Sequence, residues 1–257
     1  IFMYTTDHEK FLNINLQDFG LLDGEPIAQN LDDIISVSEE MQTLKERIVK
    51  VARTKSTVMI YGETGTGKEL VARAIHNGGS RKNKRYLSQN CAAIPENLLE
   101  SILFGTTRGS FTGAENRPGL FEIASGGTLF LDEINSMDLA VQAKILKAIE
   151  EQKIRRIGGT EDILIDVRII AATNEDPLLC MQRGSLREDL YYRLKVVQLN
   201  IPPLRNRKED IRPLTEYYIN FYNTVMGKSI QNVDAQLMRL FYQYSWPGNV
   251  RELRNMI

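Results

Sequence analysis

From Ser38 to Val51 the apolar residues Met41, Leu44, Ile48 and Val51 fall at steps of three and four, with Lys and Arg on the other face, which predicts an amphipathic helix. The period then changes. Thr57-Val58-Met59-Ile60-Tyr61 is a short β-branched apolar run that reads as a buried strand, and Glu69 to Ile75 returns to helical spacing. Tyr86 to Asn90 reads as a second strand. Pro95 opens a helix through Leu98, Leu99, Ile102 and Leu103. Gly127 to Glu133 is a third strand that ends in two acids. Asp138 is placed to cap the next helix, whose stripe is Val141, Ile145, Leu146 and Ile149. A hairpin is expected around Gly158-Gly159. Asp166 to Asn174 and Val196 to Leu199 supply the fourth and fifth strands.

Strands alternating with helices predict an α/β fold with a parallel sheet covered on both faces, whose working edge is the carboxyl ends of the strands. Gly62, Asn90, Asp132 and Asn174 all fall at such ends. After Pro202-Pro203 the strand signals stop, and two or three helices fill residues 208–257 as a small second domain. The boundaries expected are therefore 31–202 for the α/β part and 203–257 for the helical part. Residues 1–30 carry Gly20, Gly24 and Pro26 with no sustained period, and read as the tail of a preceding domain plus a linker. The start at Ile1 and the stop at Ile257 inside an apparent helix suggest a piece of a longer protein.

Between the first strand and its helix stands Gly62-Glu63-Thr64-Gly65-Thr66-Gly67-Lys68. Glycines there let successive backbone N–H groups face one anion, the helix start adds its positive dipole end, and the lysine can reach β- and γ-phosphates. This is a nucleoside triphosphate site. Glu69 stands where most such loops put a Ser or Thr hydroxyl on Mg²⁺, so metal binding must lean on other residues. Asp132 and Glu133 meet that need: one acid can hold Mg²⁺ and its neighbour can orient or deprotonate a water. Thr173 and Asn174 are either turn residues or contacts to the γ-phosphate or its water. Arg187 and Arg193 flank Leu190-Tyr191-Tyr192, as solvated charges or as arginine fingers, and spacing does not choose between the two. Residues 104–119 break the pattern with Gly105, Gly109, Gly113, Pro118 and Gly119, a long loop of the kind that usually carries function.

Bulk properties narrow the partners. The net charge of −1 leaves no basic footprint for nucleic acid. Cys91 and Cys180 have no Cys or His at ligand spacing, so a zinc site or disulfide framework is not indicated and a reducing cytoplasm fits. No apolar run approaches membrane-spanning length.

Six segments together resemble the central AAA+ domain of sigma-54-dependent transcriptional activators, the bacterial enhancer-binding proteins. They are Gly62 to Glu69, Asn90-Cys-Ala-Ala93, Gly109-Ser-Phe-Thr-Gly-Ala114, Gly127 to Ile134, Leu186 to Leu194 and Trp246 to Leu253. The 109–114 loop is the most diagnostic; the family's usual wording is Gly-Ala-Phe-Thr-Gly-Ala, and this chain has Ser110 at the second position. Glu69 matches the family. The wording around Phe104 to Phe111 looks most like regulators of arginine utilisation of the RocR type.

The resemblance implies an AAA+ P-loop ATPase with a helical lid, assembled into a ring, a hexamer by family likeness, that uses ATP and Mg²⁺ to remodel the sigma-54 RNA polymerase closed complex. It implies that residues 62–69 bind nucleotide, that Asp132 holds the metal, and that Asn90 restrains Glu133. Thr173 and Asn174 would be a first sensor, Arg251 a second sensor from the lid, and Arg187 and Arg193 candidates for a finger acting on a neighbouring subunit. Gly109, Ser110, Phe111, Thr112, Gly113 and Ala114 would form the sigma-54 contact, with Phe111 and Thr112 at its tip; taken alone, Phe111 could also be a core residue beneath a loop. Enhancer DNA would be reached through a helix-turn-helix domain that these residues do not include. Two other readings compete. A helicase would need basic pore loops, and residues 104–119 hold only Arg108 and Arg117. A nucleotide-gated scaffold would not need Glu133.

Overall fold

A computed structural model describes residues 30–110 and 114–257. The reading of the N-terminal stretch as the remnant of another domain therefore lies outside the described residues, Asn30 apart, as do Phe111, Thr112 and Gly113. The elements run α1 (Glu39–Ala52), β1 (Val58–Tyr61), α2 (Lys68–Asn77), β2 (Tyr86–Asn90), α3 (Glu96–Phe104), β3 (Gly105–Thr106), β4 (Arg117–Pro118) and α4 (Leu120–Ile123). They continue with β5 (Thr128–Asp132), α5 (Leu139–Glu151), β6 (Lys153–Ile154), β7 (Ile163–Leu164), β8 (Arg168–Thr173), α6 (Pro177–Gln182), α7 (Glu188–Leu194) and β9 (Val197–Asn200). Three helices close the chain: α8 (Ile211–Met226), α9 (Ala235–Gln243) and α10 (Asn249–Met256).

The central sheet has the order β2-β5-β8-β1-β9, and every pair in it is parallel. Successive side chains of a strand face opposite ways, so a sheet covered twice needs strands that are apolar throughout. Met59, Leu129, Leu131, Ile169 and Ala171 point into one core with residues of α3, α5 and α7. Their neighbours Val58, Ile60, Phe130, Ile170 and Ala172 point into the other with α1 and α2. The four residues that define the α1 stripe, Met41, Leu44, Ile48 and Val51, are all buried there. Asp138 accepts from the Ala140 N–H at 2.8 Å and so starts α5.

The long loop is more structured at its base than the sequence suggests. Gly105 and Thr106 pair antiparallel with Pro118 and Arg117, and Thr106 bridges to Ile157 beside the β6–β7 hairpin. A two-residue ladder made partly of Gly and Pro carries only breaker signals in the sequence, since both residues weaken a strand of any ordinary length.

The helical part has its own core of Leu204, Ile211, Leu214, Phe241, Trp246 and Leu253. Trp246 is buried edge-on against Phe241 and Tyr244, and its indole N–H donates to the Phe241 carbonyl at 2.8 Å. The buried Asp210 carboxylate takes the Val37 and Ser38 N–H groups at 2.6 and 2.8 Å, joining the entrance of α1 to the start of α8. Among the described residues, no helix is long and apolar enough to cross a membrane.

Candidate active site

The parallel register brings the ends of neighbouring strands level: Asn90 stands opposite Asp132, and Tyr61 opposite Thr173. Four chain segments therefore leave the sheet at one edge, where the phosphate loop begins. Gly65 and Gly67 have φ of +80° and +103°, a left-handed backbone that ordinary residues disfavour and that turns the loop tightly into the start of α2.

Lys68 is buried, and its ammonium donates to the carbonyls of Gly62 at 2.9 Å and Glu63 at 3.3 Å. Burial pushes its pKa down; Asp132 and Glu133 oppose that shift and Arg251 adds to it. Those three residues thus share the electrostatic neighbourhood of Lys68, although Arg251 comes from the last helix. Asp132 is mostly enclosed, so burial holds its carboxyl above the usual carboxylate range; Lys68 pulls it back and Glu133 pushes it further up. Glu133 lies just beyond β5 in the left-handed region, φ 54° and ψ 47°, and its N–H donates to Asp132 Oδ1 at 2.9 Å.

The polar residues around this pair differ in part from the expected partners. The Asn90 side-chain oxygen accepts from the Ala92 and Ala93 N–H groups at 2.9 and 3.2 Å, forming a turn. The amide that reaches Glu133 is instead Asn174, whose Nδ2 donates to Oε1 at 3.4 Å. The Thr173 hydroxyl donates to Asn135 Oδ1 at 3.0 Å, and Asn135 Nδ2 donates to Asn174 Oδ1 at 3.3 Å. Asn135 was not singled out from the sequence, because one Asn after an acidic pair looks like any helix-entry residue.

Glu69 is exposed and pairs with Arg73 along α2 at 3.0 Å. Arg187 caps α7; its N–H donates to Gln142 Oε1 and its guanidinium forks onto Asp189 at 3.0 and 2.6 Å. Arg193 is exposed near the other end of α7, and its carbonyl accepts from Thr57 at the entrance of β1, the edge of the sheet opposite the phosphate loop. Neither is brought to this chain's own phosphate loop. At the 109–114 loop, the Arg108 N–H donates to Asn116 Oδ1 and the Gly109 N–H to the Ala114 carbonyl, so its flanks fold back on themselves.

The lid reaches the phosphate loop through more residues than Arg251. Arg205 forks onto the Glu63 carboxylate at 2.8 and 2.5 Å, and Asn249 Nδ2 donates to the Thr64 carbonyl at 3.0 Å and to Glu63 Oε2 at 3.2 Å. The Val250 and Arg251 N–H groups donate to the Gly65 carbonyl at 3.0 and 3.3 Å, and Arg207 donates to the Thr66 carbonyl at 3.2 Å. Asn249 is fully buried with φ 53°, a left-handed position that Asn tolerates better than most residues. Its place after Pro247-Gly248 was the one sequence signal for this contact.

Mg-ATP fits this set of groups. Among the described residues, no three His, Cys, Asp or Glu side chains cluster as metal ligands, so Mg²⁺ would be held by Asp132 together with phosphate oxygens and water, the arrangement this ion favours. A glycine loop at a helix start, a buried ammonium and an acid at the end of β5 are the complement of a polyphosphate with its metal.

The family model described as the sigma-54 interaction domain matches residues 34–200, and the one described as the AAA+ ATPase lid domain matches residues 205–257. The transcriptional activator RocR of Bacillus subtilis is 53% identical over 226 residues, 88% of this chain and 49% of that protein. The regulatory protein AtoC of Escherichia coli is 47% identical over 225 residues, 87% of this chain and 49% of that protein. The crystal structure of NtrX from Brucella abortus in complex with ATP superposes with a TM-score of 0.81 at 39% identity, covering 86% of this chain and 48% of NtrX. The chain thus spans about half the length of these relatives. With its five-stranded parallel sheet, phosphate loop and helical lid, it belongs to the sigma-54 interaction domain family, the AAA+ module of sigma-54-dependent transcriptional activators.

Proposed function

We propose that this chain is the motor of a ring-forming ATPase that hydrolyses Mg-ATP and uses the energy to remodel the sigma-54 RNA polymerase closed complex in the cytoplasm. The observation that carries the reading is the meeting of Lys68, Asp132 and Glu133 at one sheet edge with Arg251 of the lid beside them. When bound, Mg-ATP supplies the phosphoryl group to be transferred and a cation that offsets charge developing on it. Residues 62–69 hold the phosphates through backbone N–H groups and the Lys68 ammonium. Asp132 holds the metal. Glu133 orients the attacking water and takes its proton. Thr173 and Asn174 report on the γ-phosphate, Arg251 reaches it from the lid, and Arg187 or Arg193 reaches it from an adjacent subunit. A pair of arginines not bonded to their own phosphate loop is what such sharing requires, and six such subunits would close a ring. Asn90 keeps its place as the expected restraint on Glu133 only if it exchanges its turn bonds to Ala92 and Ala93 for that carboxylate.

The 109–114 loop supplies the contact to sigma-54 in this reading. The test is capture of sigma-54 by the chain held with a transition-state analogue of ATP. Capture that depends on the analogue supports the function; hydrolysis of ATP without capture would leave an AAA+ motor with a different target.

A further inference from the structure

The polar chain Thr173, Asn135, Asn174, Glu133 has a direction, fixed at the Glu133 carboxylate, which accepts, and passed along by Asn135. A primary amide has one accepting end and one donating end, and its neighbours decide which way each points. The Asn135 oxygen lies 3.0 Å from the Thr173 hydroxyl, whose one proton it shares with the Glu175 carbonyl at 2.9 Å, and its NH₂ faces Asn174. That NH₂ occupies the Asn174 oxygen at 3.3 Å, which in turn leaves the Asn174 NH₂ facing Glu133 at 3.4 Å. Reversal of the Asn174 amide would set its oxygen against the Glu133 carboxylate, acceptor against acceptor. Among the described residues, Asn174 is also the one side chain that hydrogen-bonds the Glu133 carboxylate.

Thr173 is buried and fully enclosed, and its hydroxyl also meets the Glu175 N–H at 3.2 Å and the Glu175 carbonyl at 2.9 Å, so the position of its oxygen is fixed. Asn135 sits on the short 3-10 turn Ile134–Ser136 that directly follows Glu133, whose own left-handed backbone is set by the same turn. One residue thus touches both the end of β8 and the loop that carries the acid.

We infer that Asn135 is a positioning residue for the reaction proposed above: it sets the orientation of the Asn174 amide and through it the placement of the Glu133 carboxylate. This rests on the reading of Glu133 as the acid that serves hydrolysis. Asn135 itself touches no reacting atom.

Two substitutions separate positioning from mere packing. Asn135→Ala removes both bonds. Asn135→Asp keeps the acceptor for Thr173 but replaces the donor to Asn174 by an acceptor, which should draw the Asn174 NH₂ away from Glu133. The first readout needs no nucleotide: the side-chain amide resonance of Asn174 in the 257-residue chain, compared with and without Glu133→Gln. In the wild-type background the resonance should move with Glu133→Gln; in Asn135→Ala and Asn135→Asp it should not. The second readout is steady-state ATP hydrolysis. Both variants should lose about tenfold in kcat with KM within about twofold, the scale of one hydrogen bond to a charged group. Asn135→Ala combined with Asn174→Ala should fall no further than either alone.

An Asn174 resonance that still follows Glu133→Gln in both variants would overturn the inference, and so would Asn135→Asp turning over like wild type, because the Thr173 tie would then be the whole role. A raised KM at unchanged kcat would overturn it as well. If the wild-type chain binds ATP without hydrolysing it, the proposed function fails instead, and the resonance experiment still decides whether Asn135 orients Asn174.

Discussion

The buried Lys68 ammonium donates to two loop carbonyls, those of Gly62 and Glu63, which offset part of the cost of its burial. Replacement by Ala removes the one buried cation in the phosphate loop, and nucleotide affinity should fall at least about 100-fold, given that each charge-assisted bond is worth about 1.5–3 kcal/mol. Equilibrium titration with a fluorescent nucleotide measures it, and unchanged affinity would remove the phosphate-loop reading. At Glu133 the expectation is the reverse split. Glu133→Gln keeps the shape and cannot accept a proton, so binding should hold while turnover drops by about 10²–10⁴, the range for a lost general base. Turnover within a few-fold of wild type would assign the chemistry to another residue.

The decisive elements are two loops from opposite ends of the chain. Gly65 packs so closely beneath the lid that an added Cβ would lie 2.2 Å from the Gly248 carbonyl oxygen, and its φ of +80° costs any other residue about 1–2 kcal/mol. Gly65→Ala should therefore undock α10 from the phosphate loop, lowering the thermal midpoint and weakening nucleotide binding together; calorimetric titration and a melting curve on the same sample test the pairing. The Glu63–Arg205 fork is partly exposed and contributes modestly. Its hydrogen bond from Arg205 holds the Glu63 carboxyl below the usual carboxylate range against a smaller effect of burial. A depressed value in the folded state means that the fork stabilises above the unfolded value and is lost as pH falls through the folded one. The difference in thermal midpoint between wild type and Glu63→Gln should accordingly be present at neutral pH and close below about pH 4. A gap independent of pH would mean that packing, not charge, holds the lid there.

At the scale of the whole molecule, Arg187 is held on Asp189 and Arg193 is exposed, neither bonded to its own phosphate loop, and the proposed ring would give them one to act on. Mixing Arg187→Ala/Arg193→Ala protein with Glu133→Gln protein should restore part of the ATPase activity, since some interfaces then join an intact acid to an intact finger. A mixture as inactive as its components, with assembly verified by sedimentation, would argue against shared sites. The 109–114 loop, the proposed sigma-54 contact, offers the other global test. Thr112→Ala should leave ATP binding and basal hydrolysis near wild type and abolish analogue-dependent capture of sigma-54. Parallel loss of ATPase activity would make the loop structural, and capture surviving in both Thr112→Ala and Phe111→Ala would move the contact elsewhere.

Much of the scaffold was legible before any coordinates because it depends on local periodicity. The α1 stripe, the three central apolar strands and the Asp138 cap are each specified within a dozen residues, and apolar residues on both faces of a strand demand cover on both sides. Glycine spacing before Lys68 likewise announced a phosphate loop, and the two acids at the end of β5 stood out as the polar close of an apolar strand. What periodicity could not supply was the pairing of side chains distant in sequence. The Glu133 carboxylate meets Asn174, 41 residues away, while Asn90 turns back on its own neighbours. The Arg205 and Asn249 contacts to Glu63 cross 142 and 186 residues. Such contacts are chosen by which strand ends fall level and by how the lid core seats α10 against the phosphate loop, and both are settled only when the sheet and the lid are packed.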